Sequence, residues 1–255
     1  MGWPDGLEVR KRLPPLPPRQ NLIHSMLNTP STLLPAALGL CVIGFAFTSM
    51  VDRAEASPTA VASRSYEITI TNLSSNQIIS PPILATHDDS ARMFMPGAAA
   101  SAELAAIAED GDNSAMANLL ASNSGVFDIV TAVGGIAPGT SITLTIEADG
   151  MHRWFSMAGM FVTTNDAFVG VDSMTVDEMS TAGKFFIPVW DAGSEANSEN
   201  GMYIPGPPFG NGGVHDPAPS EGFVHLHSGI HGIMDVLPET YDWGSYGALI
   251  EFKRL

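Results

Sequence analysis

Short segments of alternating polar and apolar residues constrain this chain more than any other feature. Tyr66-Glu67-Ile68-Thr69-Ile70-Thr71-Asn72 and Ser141-Ile142-Thr143-Leu144-Thr145-Ile146-Glu147 place every second side chain on one face. That is the period of a β-strand buried on one side. Further strand-like runs fall at residues 126–132, 153–163, 168–175, 184–190 and 248–252, separated by turns rich in Gly and Pro. Many short strands without regularly interleaved helices predict an all-β antiparallel sandwich rather than an α/β sheet. Two stretches break the pattern. Ser80-Pro81-Pro82 predicts a loop over residues 80–86. The Ala-rich stretch from Ala98 to Ala121 carries Leu104, Ile107, Met116, Leu119 and Leu120 at helical intervals, which predicts one or two short helices inserted at a sheet edge. With 255 residues, 45% of them hydrophobic, the chain can bury one substantial core, and its length requires no second domain.

The first 56 residues have a different character. Arg10, Lys11, Arg12 and Arg19 precede an apolar run from Leu33 to Phe47, and small residues follow at Ala54-Glu55-Ala56 and Ala60-Val61-Ala62. Positive charge, apolar segment and A-x-A in that order predict a secretory leader over residues 1–56, cleaved near Ala56 or Ala62, before a domain over residues 63–255. The apolar run falls short of the roughly 20 residues that span a bilayer, so no stable membrane span is expected in the mature chain. The single Cys41 lies inside that run rather than after it, which argues against lipid attachment, and it leaves an exported domain without disulfides. A net charge of −16 argues against nucleic acid and anionic membranes as partners, because both demand basic surface.

Acidic residues concentrate in one loop. In VWDAGSEANSEN, residues 189–200, a bulky apolar run stops at Trp190, and Asp191, Glu195, Asn197 and Glu199 crowd together. Clustered carboxylates repel one another unless a cation sits among them, and oxygen ligands in a flexible loop suit calcium; the same residue types also make an ordinary solvated turn. Upstream, FVTTNDAFVGVDSM at residues 161–174 holds a second polar turn with Asn165 and Asp166 between strand-like flanks. Two such loops at one end of a sandwich can clasp a single ion.

The segments NDAFVGVDS and FIPVWDAGSE, in this order and about two strands apart, resemble the spondin domain, an extracellular-matrix module that also occurs alone in secreted bacterial proteins. The resemblance runs from about Ser65 to the C-terminus. It implies a C2-like antiparallel β-sandwich that binds Ca2+ through Asp166 of the first motif and Asp191 and Glu195 of the second; apart from the resemblance, Asn165, Asn197 and Glu199 in the same two loops are candidates for additional ligands. The animal pattern has Asp at the position of Glu195, whose longer side chain still offers two oxygens.

Other chemistry is less well supported. In EGFVHLHSGIHG, residues 221–232, His225 and His227 fall on one face of a strand, and a Ser228-Gly229 turn brings His231 back toward them. Three imidazoles are a catalytic zinc arrangement in unrelated proteins, although a His pair beside Gly turns is more often structural. Glu109-Asp110-Gly111-Asp112-Asn113-Ser114 lacks the Gly and the closing carboxylate of an EF-hand, so it is a helix-breaking turn. There is no G-x-S-x-G elbow, and Asp191 with Glu195 in one loop lacks the separated placement of glycosidase carboxylates. Trp154, Phe155, Phe161 and Trp190 sit in apolar strands and suit the core, whereas Trp243 and Tyr246, beside Gly244 and Gly247, suit exposed stacking.

The expectation is a non-enzymatic, secreted (extracellular or periplasmic) calcium-binding module that recognises a surface or matrix polysaccharide or protein. The alternative is a small exported metalloenzyme using His225, His227 and His231.

Overall fold

A computed structural model describes residues 63–176 and 183–255. The expected leader and its cleavage sites lie outside the described residues. The described chain forms two antiparallel sheets, a four-stranded one and a six-stranded one, with few short helices. The first has the order β4 (Ser141–Ala148), β1 (Arg64–Asn72), β10 (Ala248–Arg254), β7 (Gly183–Ile187). The second has the order β3 (Val126–Thr131), β2 (Ile83–His87), β5 (Trp154–Met160), β6 (Ala167–Thr175), β8 (Val189–Asp191), β9 (His225–Leu226). This is the all-β sandwich that the alternating segments predict.

Alternation holds where one face is wet. β1 turns Tyr66, Ile68 and Ile70 into the core, and β10 does the same with Ala248, Ile250 and Phe252. On the outer face Thr69 meets Thr143 at 2.9 Å and Thr71 meets Ser141 at 2.8 Å, cross-strand hydroxyl pairs that fix the β1–β4 register. Phe155 packs edge-on against Phe252 across the sheets at 5.5 Å.

The six-stranded sheet is covered on both faces. Helix α1 (Ala102–Asp110) packs on β5 and β6, and with α2 (Ser114–Ala121) it encloses a second core of Ile83, Phe94, Leu104, Ile107, Met116 and Phe168. Ser101 caps α1 by accepting from the Leu104 N–H at 3.2 Å, and Gly111 ends it in the left-handed conformation at φ 68°. The Asp-Gly-Asp segment is therefore a helix break, as read from the sequence.

Trp243, expected at an exposed stacking position, is buried in the core, and α1 lies on the face of the interior strands β5 and β6 rather than at a sheet edge; two strand expectations also need correction. The loop predicted over residues 80–86 ends after Pro82, and β2 begins at Ile83. Every β2 residue is buried because helices cover one face and the sandwich core covers the other, so its sequence shows no alternation. The strand expected over 184–190 is two strands in different sheets. Pro188 separates β7 from β8; lacking an N–H, it cannot extend the ladder, and the chain crosses the core there.

Candidate functional site: two acidic loops and a histidine strand

Strand register builds the site. Asn165 and Asp166 occupy the turn between β5 and β6, where the Thr164 hydroxyl donates to the Phe161 carbonyl at 2.6 Å and accepts from the Ala167 N–H at 3.1 Å. β6 pairs with β8 so that Ala167 faces Asp191, and β8 pairs with β9 so that Asp191 faces His225. The Ala192 N–H donates to the Asp166 carbonyl at 3.2 Å, which draws the two acidic loops together at one end of the sheet.

Asp166, Asp191, Glu195, Glu199 and Asn165 are all buried. Asp166 Oδ2 accepts from the N–H groups of Ser194 at 2.8 Å and Glu195 at 3.0 Å, while Oδ1 is buried without a hydrogen-bond partner. Burial first, and then the neighbouring Asp191 charge, push the Asp166 carboxyl up to about 8. Asp191 Oδ1 accepts from the Gly193 N–H at 2.7 Å and Oδ2 from the Asn197 amide at 2.5 Å; burial also raises its pKa. Glu195 Oε1 accepts from the Asp216 N–H at 2.6 Å and the Asn165 amide at 3.3 Å, and Oε2 is buried without a partner. Burial pushes Glu195 up to about 7.

The remaining acidic-loop residues hold the scaffold. Glu199 accepts from the N–H groups of His231 at 2.5 Å and Ile233 at 2.9 Å, which uses both its oxygens to anchor the 231–233 loop. Asn165 Oδ1 accepts from the Glu199 N–H at 3.1 Å, linking Glu195 to Glu199. Asn197 bridges Asp191 and His227, whose Nε2 lies 3.1 Å from its side-chain oxygen. Gly193, at φ +64°, packs so tightly on the Phe223 backbone that a Cβ would collide with it.

Two of the three histidines approach Asp191, and the third is directed elsewhere. His225 Nε2 lies 3.8 Å and His227 Nε2 4.0 Å from Asp191 Oδ2, whereas His231 turns to the Ser228 hydroxyl at 2.8 Å. Gly229 donates its N–H to His227 Nδ1 at 3.0 Å, so the His227 proton resides on Nε2 and points to Asn197. Burial, reinforced by His225 and His231, pushes His227 down to about 4. Its two ring nitrogens are thus both engaged. Among the described residues, no three His, Cys, Asp or Glu side chains are grouped so as to hold a metal ion by themselves.

Sequence reading missed the backbone donors from the C-terminal third, at Asp216, His231 and Ile233. It also missed His215, which sits 3.3 Å from Glu109 and 3.1 Å from Asp110 and ties the segment before Asp216 to the end of α1. The Gly- and Pro-rich stretch 205–222 carries no periodicity that places these groups.

The family model described as Spondin_N matches residues 73–201. The chain belongs to the Spondin_N family. Both acidic loops of this Spondin_N domain lie inside the matched span, and His225, His227 and His231 lie beyond it. No curated protein matches the chain. Spondin_N membership indicates an extracellular binding module, and no helix among the described residues is long and apolar enough to cross a membrane.

Proposed function

We propose that the Asp166 turn and the Asp191–Glu195 loop hold a calcium ion, and that the exported domain acts as a binding or adhesion module at a cell surface or in extracellular matrix. The observation that carries this reading is the pair of buried, unpartnered carboxylate oxygens, Asp166 Oδ1 and Glu195 Oε2. A buried carboxylate oxygen without a donor is costly, and a hard cation is its natural complement. Asp166 and Asp191 would supply the charge at the β6–β8 register, with Glu195 as a further oxygen. Backbone carbonyls and water would fill the remaining positions. Bound calcium would neutralise the Asp166–Asp191 repulsion and stiffen both loops. Asn165, Asn197 and Glu199 serve as braces in this reading, because their polar atoms already bond to the loops.

No enzymatic step is assigned. The metalloenzyme alternative loses support from the placement of His227, whose ring nitrogens are both taken up by Gly229 and Asn197. Isothermal titration of the chelator-stripped full chain tests the reading: calcium should bind stoichiometrically to the parent protein and not to Asp166→Asn or Asp191→Asn. Binding unchanged in both variants would refute the assignment.

A further inference from the structure

A cleft of about 380 Å³ opens between the β8–β9 edge and the turn before β10, lined in part by Leu226, His227, Trp243, Ser245 and Tyr246. None of its eight lining residues is Asp, Glu, Lys or Arg. Trp243 is only 9% exposed and is fixed against Phe161 at 5.2 Å and against His227 at 5.0 Å, which makes a rigid floor. Tyr246, 46% exposed, lies on Phe186 at 5.2 Å, and Phe186 and Leu226 are themselves 58% and 59% exposed. Gly244 turns the chain at φ +73° with open space where a Cβ would stand, so no side chain obstructs the cleft between the two aromatic residues.

We propose that this cleft binds a neutral sugar unit of a polysaccharide. The proposal supplies a ligand class for the binding-module reading and rests on that reading. Pyranose faces carry polarised C–H groups that match the negative face of an aromatic ring, and sugar hydroxyls need polar groups close by, here the Ser245 and Tyr246 hydroxyls. Charge excludes the competing ligands: an anionic polymer is repelled by a chain of net charge −16, and a cationic group finds no carboxylate in the lining. The cleft also lies near the lower end of the roughly 300–1,000 Å³ range of small-ligand sites, the scale of one or two rings rather than of a protein partner.

The cleft is wired to the acidic loops. His227 forms part of its wall and bonds Asn197, which in turn bonds Asp191. Ordering the Asp191 loop therefore holds one side of the sugar site in place.

The test is saturation-transfer NMR and calorimetry on the full chain in calcium buffer, with neutral hexasaccharides of glucose, xylose, mannose and N-acetylglucosamine as probes. At least one should bind saturably, with affinity falling about ten-fold or more in Tyr246→Ala and in Leu226→Ala, and held within a few-fold in Tyr246→Phe, which keeps the ring. No binding by any probe, binding indifferent to both alanine variants, or binding of apolar tripeptides instead would overturn the proposal. Repeating the titration on chelated protein and on Asp191→Asn separates the two readings. Sugar binding that persists at full strength there shows that the cleft does not depend on an ordered Asp191 loop, while calcium titration of the same samples tests the calcium assignment by itself.

Discussion

At Asp166, one carboxylate oxygen takes the donors and the other takes none, so its charged form is only half satisfied. Its pKa is about 8 in the folded chain against 3.8 for the free side chain. Between these values the unfolded chain has lost a proton that the folded chain retains, so this group's contribution to metal-free stability falls as pH rises from about 4 to about 8. Glu195 acts in the same direction up to about 7. His227 acts oppositely, because its folded value of about 4 lies below 6.5 and costs stability as pH falls through that window. The Asp166 share is isolated by comparing urea melts of the chelated parent and Asp166→Asn at pH 5 and pH 8: the variant should gain relative to the parent at the higher pH. Gly193→Ala should cost about 1–3 kcal/mol in the same melts, because a Cβ there meets both an unfavourable φ and the Phe223 backbone. Asp166, Asp191 and Glu195 were visible in the sequence as acidic residues beside strand ends. That Glu199 is saturated by backbone donors while Glu195 keeps a free oxygen was not, because the donors arrive from the 216 and 231–233 segments.

Among the elements, one-face-wet strands such as β1, β4 and β10 were legible because alternation encodes a solvated face. β2 was not, because full burial on both faces removes the pattern and the preceding Pro81-Pro82 pair mimics a loop. The β7–β8 division was hidden for a related reason: residues 185–190 are one apolar run, and only the position of Pro188 hints at the sheet switch that delivers Asp191 to β6. The 231–235 loop has no regular structure and hangs on Glu199, whose carbonyl also accepts from the Asp235 N–H at 2.9 Å. Glu199→Gln removes one acceptor without changing shape. It should cost about 1–3 kcal/mol and speed amide exchange at His231 and Ile233 well above exchange in β1, as measured by NMR. Unchanged exchange at these two amides would show that the loop is held by something other than the Glu199 carboxylate.

Over the whole molecule, the sandwich brings to one end three segments that are far apart in sequence: the 163–166 turn, the 191–199 loop and the C-terminal stretch that supplies Asp216, His225 and His227. Family membership covers the first two, and the third was legible only as a histidine-bearing strand, of which the structure sets His225 and His227 near Asp191 and turns His231 to Ser228. If calcium closes this end, it couples the stability of the sandwich to metal concentration, since a ligand held by the folded state alone stabilises by about 2.7 kcal/mol at a hundred times its Kd. The most direct measurement is therefore the thermal melt of the chelator-stripped full chain at pH 8, where the carboxylates are most ready to ionise, with and without saturating calcium. The account predicts a rise of roughly 5–10 °C that vanishes in Asp191→Ala and persists in His231→Ala. An unchanged melting temperature in calcium, or a rise that survives Asp191→Ala, would contradict it.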